Sequence, residues 1–312
     1  MPVARAERHL SVVDRYALPA AVRDGCTYFV DGLLAGPSRP RFDEHVRARA
    51  SYFEENDAAA SQERYAAIDI ARTYGDSVCF WGIEDWRSRL ALAFVCAQRA
   101  VRGNAGTLTI VDLPARGLVD RACCGIPMKA KREGRVRELR ELTEEESDAG
   151  AAFWNAFTSA DARAVLGRVF WELFPQAERF VGYLAAHAPR VRGGRKQVSV
   201  IDECLLAAAG ERPIGVVDLF ASPDSAHLPA QRLLHCAGDL TVARRLEAWS
   251  RYPKDFPALV RENNTHLLAT KYRLTPTGNG LLEELPGLDA APPFVIGGTT
   301  MYDSARPFYV PG

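Results

Sequence analysis

"CFWGIEDWRSRLAL", residues 79 to 92, begins with apolar residues typical of a buried strand and passes through a glycine into a charged helix start. Glu84 and Asp85 fall in the first turn of that predicted helix, and Arg87 and Arg89 follow them. A strand that leads directly into a helix is the repeating unit of α/β folds, because parallel strands need a crossover connection. The stretch therefore predicts an α/β sheet with a polar site where this strand ends.

The sequence on both sides of this stretch repeats the same alternation. The apolar or β-branched runs that indicate strands are HLSVV, CTYFV, SVCFW and TLTIVDL, at residues 9–13, 26–30, 77–81 and 107–113. Apolar residues at helical spacing lie between them, at 41–72 and 84–99. We therefore expect a Rossmann-like domain with a mostly parallel sheet over residues 1–140.

Composition limits the classes of function. The chain has 312 residues, enough for two domains, and its 39 Lys and Arg balance 39 Asp and Glu, so no overall field attracts nucleic acid or an anionic membrane. Seven cysteines without CxxC spacing indicate reduced thiols, and six scattered histidines indicate no metal site. No apolar run has signal-peptide or membrane-spanning length. We expect a cytoplasmic protein without a membrane partner; the sequence names no cofactor and no oligomeric state.

The second half of the chain has a different pattern. A helix is expected to be capped at Thr143 with Glu146 at its third position, within a helical linker region over 141–196 that ends in a basic loop, RVRGGRKQ, at 190–197. Three helices followed by two short strands then outline a winged helix over 197–312, with Asp239 as the N-cap of the third helix. The core residues expected on that helix are Val242, Leu246 and Trp249. The apolar strand PPFVIGG is expected to return to the first domain, since paired glycines permit close backbone approach.

Acidic residues follow the predicted early strands. Asp14 and Asp31 come after the first two, and Glu84 and Asp85 come after the third. Ligands of open α/β sheets bind beyond the carboxyl ends of the strands, and converging carboxylates can share a proton, bind a cation or hold an amine. The alternative for Glu84 and Asp85 is helix capping, because carboxylates are favoured in a first turn. Arg15 is suited to a bound phosphate or carboxylate, or to a neighbouring acid on the surface.

The remaining motifs give weaker evidence for a functional site. No GxGxxG or GxxxxGK[ST] motif occurs, so a nucleotide site of the glycine-loop type is not supported. Cys123 and Cys124 lie near cations that lower a thiol pKa, which would suit a nucleophile, but no histidine is close in sequence. His235 and Cys236 precede the glycine that leads into the third helix, which favours a loop over a metal site.

Five segments occur in an order known from one family: FVDGLLAGP, CFWGIEDWRSRLAL, AGDLTVARRLEAW, LTPTGNGLL and FVIGGTTMYDSARPFYV. Together they resemble the uncharacterised bacterial family catalogued as domain of unknown function 1835, whose members often carry a winged-helix-like C-terminal half. The chain departs from the family at VVDRY, where Val13 and Arg15 replace the glycine and serine of a Gly-Asp-Ser element. The resemblance implies an architecture and a candidate site, not a reaction.

These features favour an enzyme of bacterial small-molecule metabolism, with group transfer in biosynthesis as the expected reaction and a carboxylate-lined interdomain cleft as its site. The expected catalytic residues are Asp14, Asp31, Glu84 and Asp85. The expected residues for binding a polar small-molecule substrate are Arg15, Trp81, Arg87, Asp239, Gly297 and Gly298. One alternative is a DNA regulator or RNA-recognising protein that uses the winged helix, through Arg244, Arg245 and Arg251, and the basic loop. Another is a structural partner protein.

Overall fold

The structure is a computed structural model, and it divides into two compact units. It describes residues 8–12, 18–28, 33, 36–53, 77–83, 86–103, 106–113, 138–159, 184–188, 190–192, 195–221, 239–263, 266–283, 291–292 and 294–301. The first unit contains the described residues from 8 to 159 together with 297–299. The second contains those from 184 to 296 together with 300–301.

The first unit is built on a five-stranded sheet. The strands of this unit are β1 (Arg8–Ser11), β2 (Cys26–Tyr28), the short β3 (Gly36–Pro37), β4 (Val78–Ile83), β5 (Leu108–Leu113) and β6 (Glu138–Glu141). The sheet order is β2-β1-β4-β5-β6; β1 is parallel to β2 and β4, β4 is parallel to β5, and β6 is antiparallel to β5. The predicted α/β class with a mostly parallel sheet is confirmed.

Helices connect and cover these strands. They are α1 (Ala20–Arg23), α2 (Phe42–Phe53), α3 (Trp86–Val101) and α4 (Glu144–Phe157). Leu90, Phe94 and Val95 of α3 are buried, as their spacing predicts. The predicted cap is also confirmed, because the Thr143 hydroxyl accepts from the Glu146 amide while the Glu146 carboxylate accepts from the Thr143 amide.

Alternate residues along the strands form the apolar cluster on one face of the sheet. Cys79 and Trp81 of β4 and Val111 and Leu113 of β5 form one apolar cluster with Leu18. Between the helices, Phe94 of α3 packs edge-on against Trp154 of α4 with ring centroids 5.0 Å apart. This contact makes α4 part of the core of the first unit, and the domain boundary expected near residue 140 stays a prediction.

One strand of the sheet was not predicted. No strand was predicted at Glu138–Glu141, which pairs with β5 in an antiparallel register that sets Arg140 opposite Ile110. Leu139 is exposed, so the strand lacks the alternation of apolar and polar residues that reveals a half-buried strand. An antiparallel edge strand on an otherwise parallel sheet is common in α/β proteins.

The second unit is mostly helical. Its elements are β7 (Arg190–Arg192), β8 (Arg195–Gln197), α5 (Val200–Glu211), α6 (Val216–Ala221), α7 (Asp239–Trp249), β9 (Leu259–Arg261), a 3₁₀ turn (Leu267–Ala269), β10 (Tyr272–Leu274) and α8 (Pro276–Leu282). The chain then continues through β11 (Phe294–Gly297) and β12 (Thr299–Met301). The predicted core residues Val242, Leu246 and Trp249 are fully buried. Asp239 is the first residue of α7, one position inside the helix from the N-cap that was expected.

Two antiparallel pairs lie in this unit. β9 pairs with β10, and Ile214 bridges to Tyr272 beside them. β7 pairs with β8, so the basic loop predicted at 190–197 is wrong: the segment is a hairpin. In the sequence, two glycines lie between the two strands. Across the described part of the chain, no helix has the length and apolar character needed to cross a membrane.

The paired glycines Gly297 and Gly298 lie against the end of α4. The Gly298 amide donates to the carbonyl of Phe157 over 3.0 Å, and the Gly297 carbonyl accepts from the Ser38 amide over 2.7 Å. Gly297 has φ of 61°, and a Cβ atom on Gly298 would stand 2.0 Å from the Thr158 carbonyl oxygen. Only glycine fits this approach of backbone to backbone.

Gly298→Ala is therefore expected to destabilise the first unit. The added methyl group meets backbone carbonyls that cannot rotate away, so we expect a loss of about 1–3 kcal/mol or more. Thermal unfolding would measure it, with Gly25→Ala as the matched control, because the nearest atom to a Cβ there is 4.0 Å away. Equal melting temperatures for the two variants would contradict this packing role.

Candidate functional site

The carboxyl edge of the parallel sheet has a topological switch point. Strand β1 is parallel to β2 on one side and to β4 on the other, so the chain leaves β1 for one side of the sheet and later returns on the other. The pairing runs to the end of β1, where the Val12 amide donates to the Trp81 carbonyl over 3.1 Å. Ligands of doubly-wound sheets bind at this kind of position, because the two connections diverge and leave a crevice.

Half of the ten predicted site residues lie outside the described residues: Asp14, Arg15, Asp31, Glu84 and Asp85. In the sequence they follow the ends of β1, β2 and β4, which are three neighbouring parallel strands. Arg87 is the second residue of α3 and Asp239 the first of α7, but their side chains are likewise outside the described set. The convergence of the four acids stays a prediction.

A buried ion pair that was not predicted lies at the same edge of the sheet. Arg89, in the first turns of α3, donates from Nη1 to Oδ1 of Asp112 over 3.2 Å and from Nη2 to Oδ2. Asp112 is the penultimate residue of β5, and both side chains are largely buried. The two-point contact fixes the plane of the guanidinium, as is typical of arginine bound to a carboxylate.

Gly82 lies beside this pair, at a close contact between β4 and α3. It lies directly opposite Asp112 in the register of β4 and β5. A Cβ atom on Gly82 would stand 3.1 Å from the Cβ of Ser88, so the start of α3 packs closely on the end of β4. The sequence signal for this arrangement is an acid inside the otherwise apolar run TLTIVDL, because an aspartate is rarely buried without a partner.

Trp81, which was expected to bind substrate, belongs to the core of the first unit. It is 6% exposed and packs in the cluster with Leu18 and Val111. Its indole N–H donates to Nδ1 of His9 on the neighbouring strand over 3.1 Å. The side chain therefore ties β4 to β1. Gly297 and Gly298, also expected at the substrate, lie against α4 as described above.

The second unit has its own buried polar centre. Asp202 of α5 accepts from Nε and Nη2 of Arg245 on α7, over 2.6 Å each. It also accepts from the Trp249 indole over 2.8 Å and from the Ser199 hydroxyl over 2.8 Å. Arg245 also donates from Nη1 to the carbonyl of Pro292 over 2.5 Å. Two buried charges are thus paired and hydrogen-bonded, which is the condition for tolerating them away from water.

Burial and the charge of Arg245 shift the pKa of Asp202 in opposite directions. Burial opposes ionisation of Asp202, but the charge of Arg245 and the hydrogen bonds from Arg245, Trp249 and Ser199 hold its pKa below the ordinary value. His187, which stacks on Phe294 with ring centroids 4.8 Å apart, is fully enclosed. Burial lowers the pKa of His187 to about 3, so this imidazole is neutral at physiological pH.

The buried pair of Asp202 and Arg245 limits which side chains of α7 can contact a nucleic acid. Arg245 was expected to reach DNA, but its side chain is 4% exposed and is engaged by Asp202. Arg251, 75% exposed, is paired with Glu247 one turn earlier at 2.6 Å. Direct readout by a recognition helix needs side chains that project into the groove. The expectation that Arg245 reads bases is therefore wrong, since that residue stabilises the core.

The described residues contain no group of three or more His, Cys, Asp or Glu side chains arranged to hold a metal ion. The four cysteines among them, Cys26, Cys79, Cys96 and Cys204, form no disulfide. Burial raises the pKa of Cys26 to about 11 and that of Cys96 to about 12, so these thiols are poor nucleophiles. Cys123 and Cys124 lie outside the described residues.

Comparison of the chain with protein-family models, with curated proteins and with solved structures finds no match. The candidate site is therefore argued from its own residues.

Asp202→Asn is expected to destabilise the second unit severely. The substitution leaves the Arg245 guanidinium buried without its counter-charge, which costs about 3–5 kcal/mol for a buried pair. The control is Glu203→Gln on the same helix, which removes the same charge from a pair with Arg190 that is open to solvent. We expect the control to lose about 0–1 kcal/mol in urea unfolding. Similar losses for the two variants would contradict the role given to Asp202.

His187 is expected to make stability fall on mild acidification. Its pKa is about 3 when folded and 6.5 when unfolded, so between these values only the unfolded state takes up the proton. Stability is full above pH 6.5 and falls as the pH decreases, by about 2 kcal/mol between about pH 7.5 and about pH 5. Urea unfolding followed by tryptophan fluorescence would measure it. His187→Gln should lose this dependence while the exposed His266→Gln keeps it, and an unchanged profile in His187→Gln would refute the assignment.

Proposed function

We propose that the first unit is a Rossmann-like enzyme domain that binds a polar small molecule at the carboxyl edge of its sheet. The observation that carries the proposal is the parallel pairing of β1 with β2 and β4, because it creates a switch point there. The chain leaves all three strand ends through segments that contain acids. Acids after all three strand ends favour a binding site over a purely structural partner protein, because structure alone does not require them there.

Arg89 is the group we assign to an anionic part of the substrate. Within the described part of the chain, Arg89 donates two hydrogen bonds, both to Asp112. These two bonds use two of the five N–H donors of its guanidinium. Asp112 fixes the orientation of Arg89 and so reduces the entropy lost when a ligand binds. A phosphate or carboxylate is the class of group that such an arginine recognises, and Arg15 would be a second cation for it.

The acids supply the chemistry in this proposal. Asp14, Asp31, Glu84 and Asp85 would hold an amine of the substrate and move its proton, which is the acid–base step that group transfer to nitrogen or oxygen requires. The resulting substrate class is a small molecule that carries both a cationic and an anionic group. The interdomain cleft and the cytoplasmic location expected from the sequence stay predictions.

We further propose that the second unit is winged-helix-like and serves as a scaffold. The order α5, the Ile214 bridge, α6, α7 and the β9–β10 hairpin supports this fold. The pairing of Arg245 with Asp202 supports a structural use of α7. The resemblance to domain of unknown function 1835 is kept as part of this proposal. Of the five segments that carry it, one begins α7 at Asp239 and another caps α8 at Thr275.

Asp31→Asn and Asp85→Asn test the proposed site. A thermal-shift screen with phosphorylated amines and amino acids should find a compound that raises the melting temperature of the wild-type protein. Saturation at a hundred times Kd corresponds to about 2.7 kcal/mol. Both variants should lose this rise and keep the unliganded melting temperature, because they remove a ligand contact and not a packing contact.

The matched control is Asp43→Asn, which removes an exposed acid from the first turn of α2. It should retain the ligand-induced rise, because this acid serves only the helix terminus. If Asp85→Asn and Asp43→Asn both lower the unliganded melting temperature by similar amounts and neither alters ligand binding, helix capping explains Asp85 and the catalytic role is excluded.

A further inference from the structure

The guanidinium of Arg89 has a second edge that the pair with Asp112 leaves open. Nη1 and Nη2 each donate one hydrogen bond to the Asp112 carboxylate, so this pair occupies the end of the guanidinium. Nε–H and the outer N–H of Nη2 point together from a neighbouring side of the same plane. Within the part of the chain that the structure describes, Nε of Arg89 donates no hydrogen bond. The side chain is 16% exposed, so it is largely shielded from water while part of it still reaches the surface.

The second unit shows how such an edge holds a carboxylate. Arg245 donates from Nε to Oδ1 and from Nη2 to Oδ2 of Asp202, over 2.6 Å each. These two donors match the spacing of two oxygens bonded to one atom, so the two hydrogen bonds run parallel. The same two donors of Arg89 are therefore suited to two oxygens of one oxyanion, which a carboxylate and a phosphate both supply.

The charges of the Arg89–Asp112 pair favour one of these oxyanions. Asp112 cancels the charge of Arg89, and both side chains are largely buried. For an anion on the open edge, the repulsion of Asp112 reduces the attraction of Arg89, and the small net attraction grows only in proportion to the charge of the anion. The cost of taking an anion out of water grows with the square of its charge. A singly charged carboxylate is therefore favoured over a phosphate, which carries about −1.5 to −2 charges near pH 7.

The sequence after the strand ends adds to this preference. Segments 12–15, 29–31 and 84–85, which follow β1, β2 and β4, contain four acids and one arginine. In the site proposed above, an excess of acids repels a doubly charged anion more strongly than a singly charged one, and it attracts an amine. These charges suit a ligand that has one carboxylate and one amine.

We propose that this site binds an amino acid, with the ligand carboxylate on the Nε–Nη2 edge of Arg89. Asp112 is the positioning residue, because it holds the plane of the guanidinium and compensates its charge. The proposal rests on the function proposed above and narrows the anionic group of the substrate from phosphate or carboxylate to carboxylate.

Matched pairs of ligands test this substrate class. Each amino acid of a panel, with its amine on the α or the ω carbon, is compared with the aminophosphonate of the same carbon skeleton, such as β-alanine with aminoethylphosphonate. The two members of a pair share the amine and differ in the shape and charge of the acid group. The full chain is screened by thermal shift at about pH 7.5, where a phosphonate, like a phosphate, is largely doubly ionised. Calorimetry then gives the dissociation constants of both members of each pair that binds.

We expect at least one amino acid to bind roughly tenfold or more tightly than its phosphonate partner. Arg89→Lys keeps the charge but loses the two parallel donors, so it should weaken the binding of that amino acid roughly tenfold or more. The matched control is Arg41→Lys, at an arginine that is 83% exposed and pairs with Glu44. The control should retain the wild-type dissociation constants.

Asp112→Asn tests the positioning role separately. The amide removes the negative charge that opposes a doubly charged ligand, so the preference for the carboxylate over the phosphonate should decrease. A loss of stability alone would not change this ratio of dissociation constants. If Asp112→Asn does not fold, the wild-type ratio and the effect of Arg89→Lys decide the question.

The results that contradict the proposal differ from those that contradict the function proposed above. Phosphonates that bind as tightly as their amino acid partners, or more tightly, would overturn the carboxylate preference and leave a small-molecule site in place. Amino acid binding that Arg89→Lys does not weaken would place the carboxylate on another residue and overturn the role of Arg89. If no compound of either series binds the wild-type protein, the proposed function is refuted together with this inference.

Discussion

The first unit depends on one constraint, the parallel pairing of β1 on both of its sides. A strand in that position cannot be joined to either neighbour by a tight turn, so the connections to β2 and β4 must pass over the sheet. All three strands then end at the same edge, and the residues that follow them start from neighbouring points. The edge also receives the Arg89–Asp112 pair, which holds the start of α3 against the end of β5. Topology alone therefore brings together residues that are more than fifty positions apart in sequence, such as Val12 and Trp81.

The second unit is organised by a different interaction, the buried pair of Asp202 and Arg245. Burying two charges gains little stability relative to apolar packing, but it imposes a geometry, because every lone pair and N–H must find a partner. Here Trp249, Ser199 and the Pro292 carbonyl meet that demand. The network fixes the face that α7 turns toward α5. It also removes from the surface an arginine that the alternative reading of the sequence assigned to contact with a nucleic acid.

The sequence predicts best the helices in which apolar residues recur at helical spacing. Leu90, Phe94 and Val95 in α3, and Val242, Leu246 and Trp249 in α7, are buried as their spacing requires. β6 and the β7–β8 hairpin were missed because their residues are mainly charged, so these strands lack the apolar alternation that reveals a strand in the sequence. The Arg89–Asp112 pair shows the same limit for the site. The sequence shows both residues, but their contact forms only because β4 and β5 are neighbouring strands. No local sequence pattern predicts which strands are neighbours.

Charge is distributed through the second unit in a way that the zero formal charge of the whole chain conceals. Arg251 after α7, Arg261 of β9 and Arg273 of β10 are paired with Glu247 and Glu262, so part of their long-range field cancels. The β7–β8 hairpin has four cations and no acid in its sequence, and its first arginine, Arg190, is paired with Glu203 of α5. The electric field at any point of the unit therefore depends on which acids the fold brings beside each cation, and a sum of charges over the sequence does not reveal it.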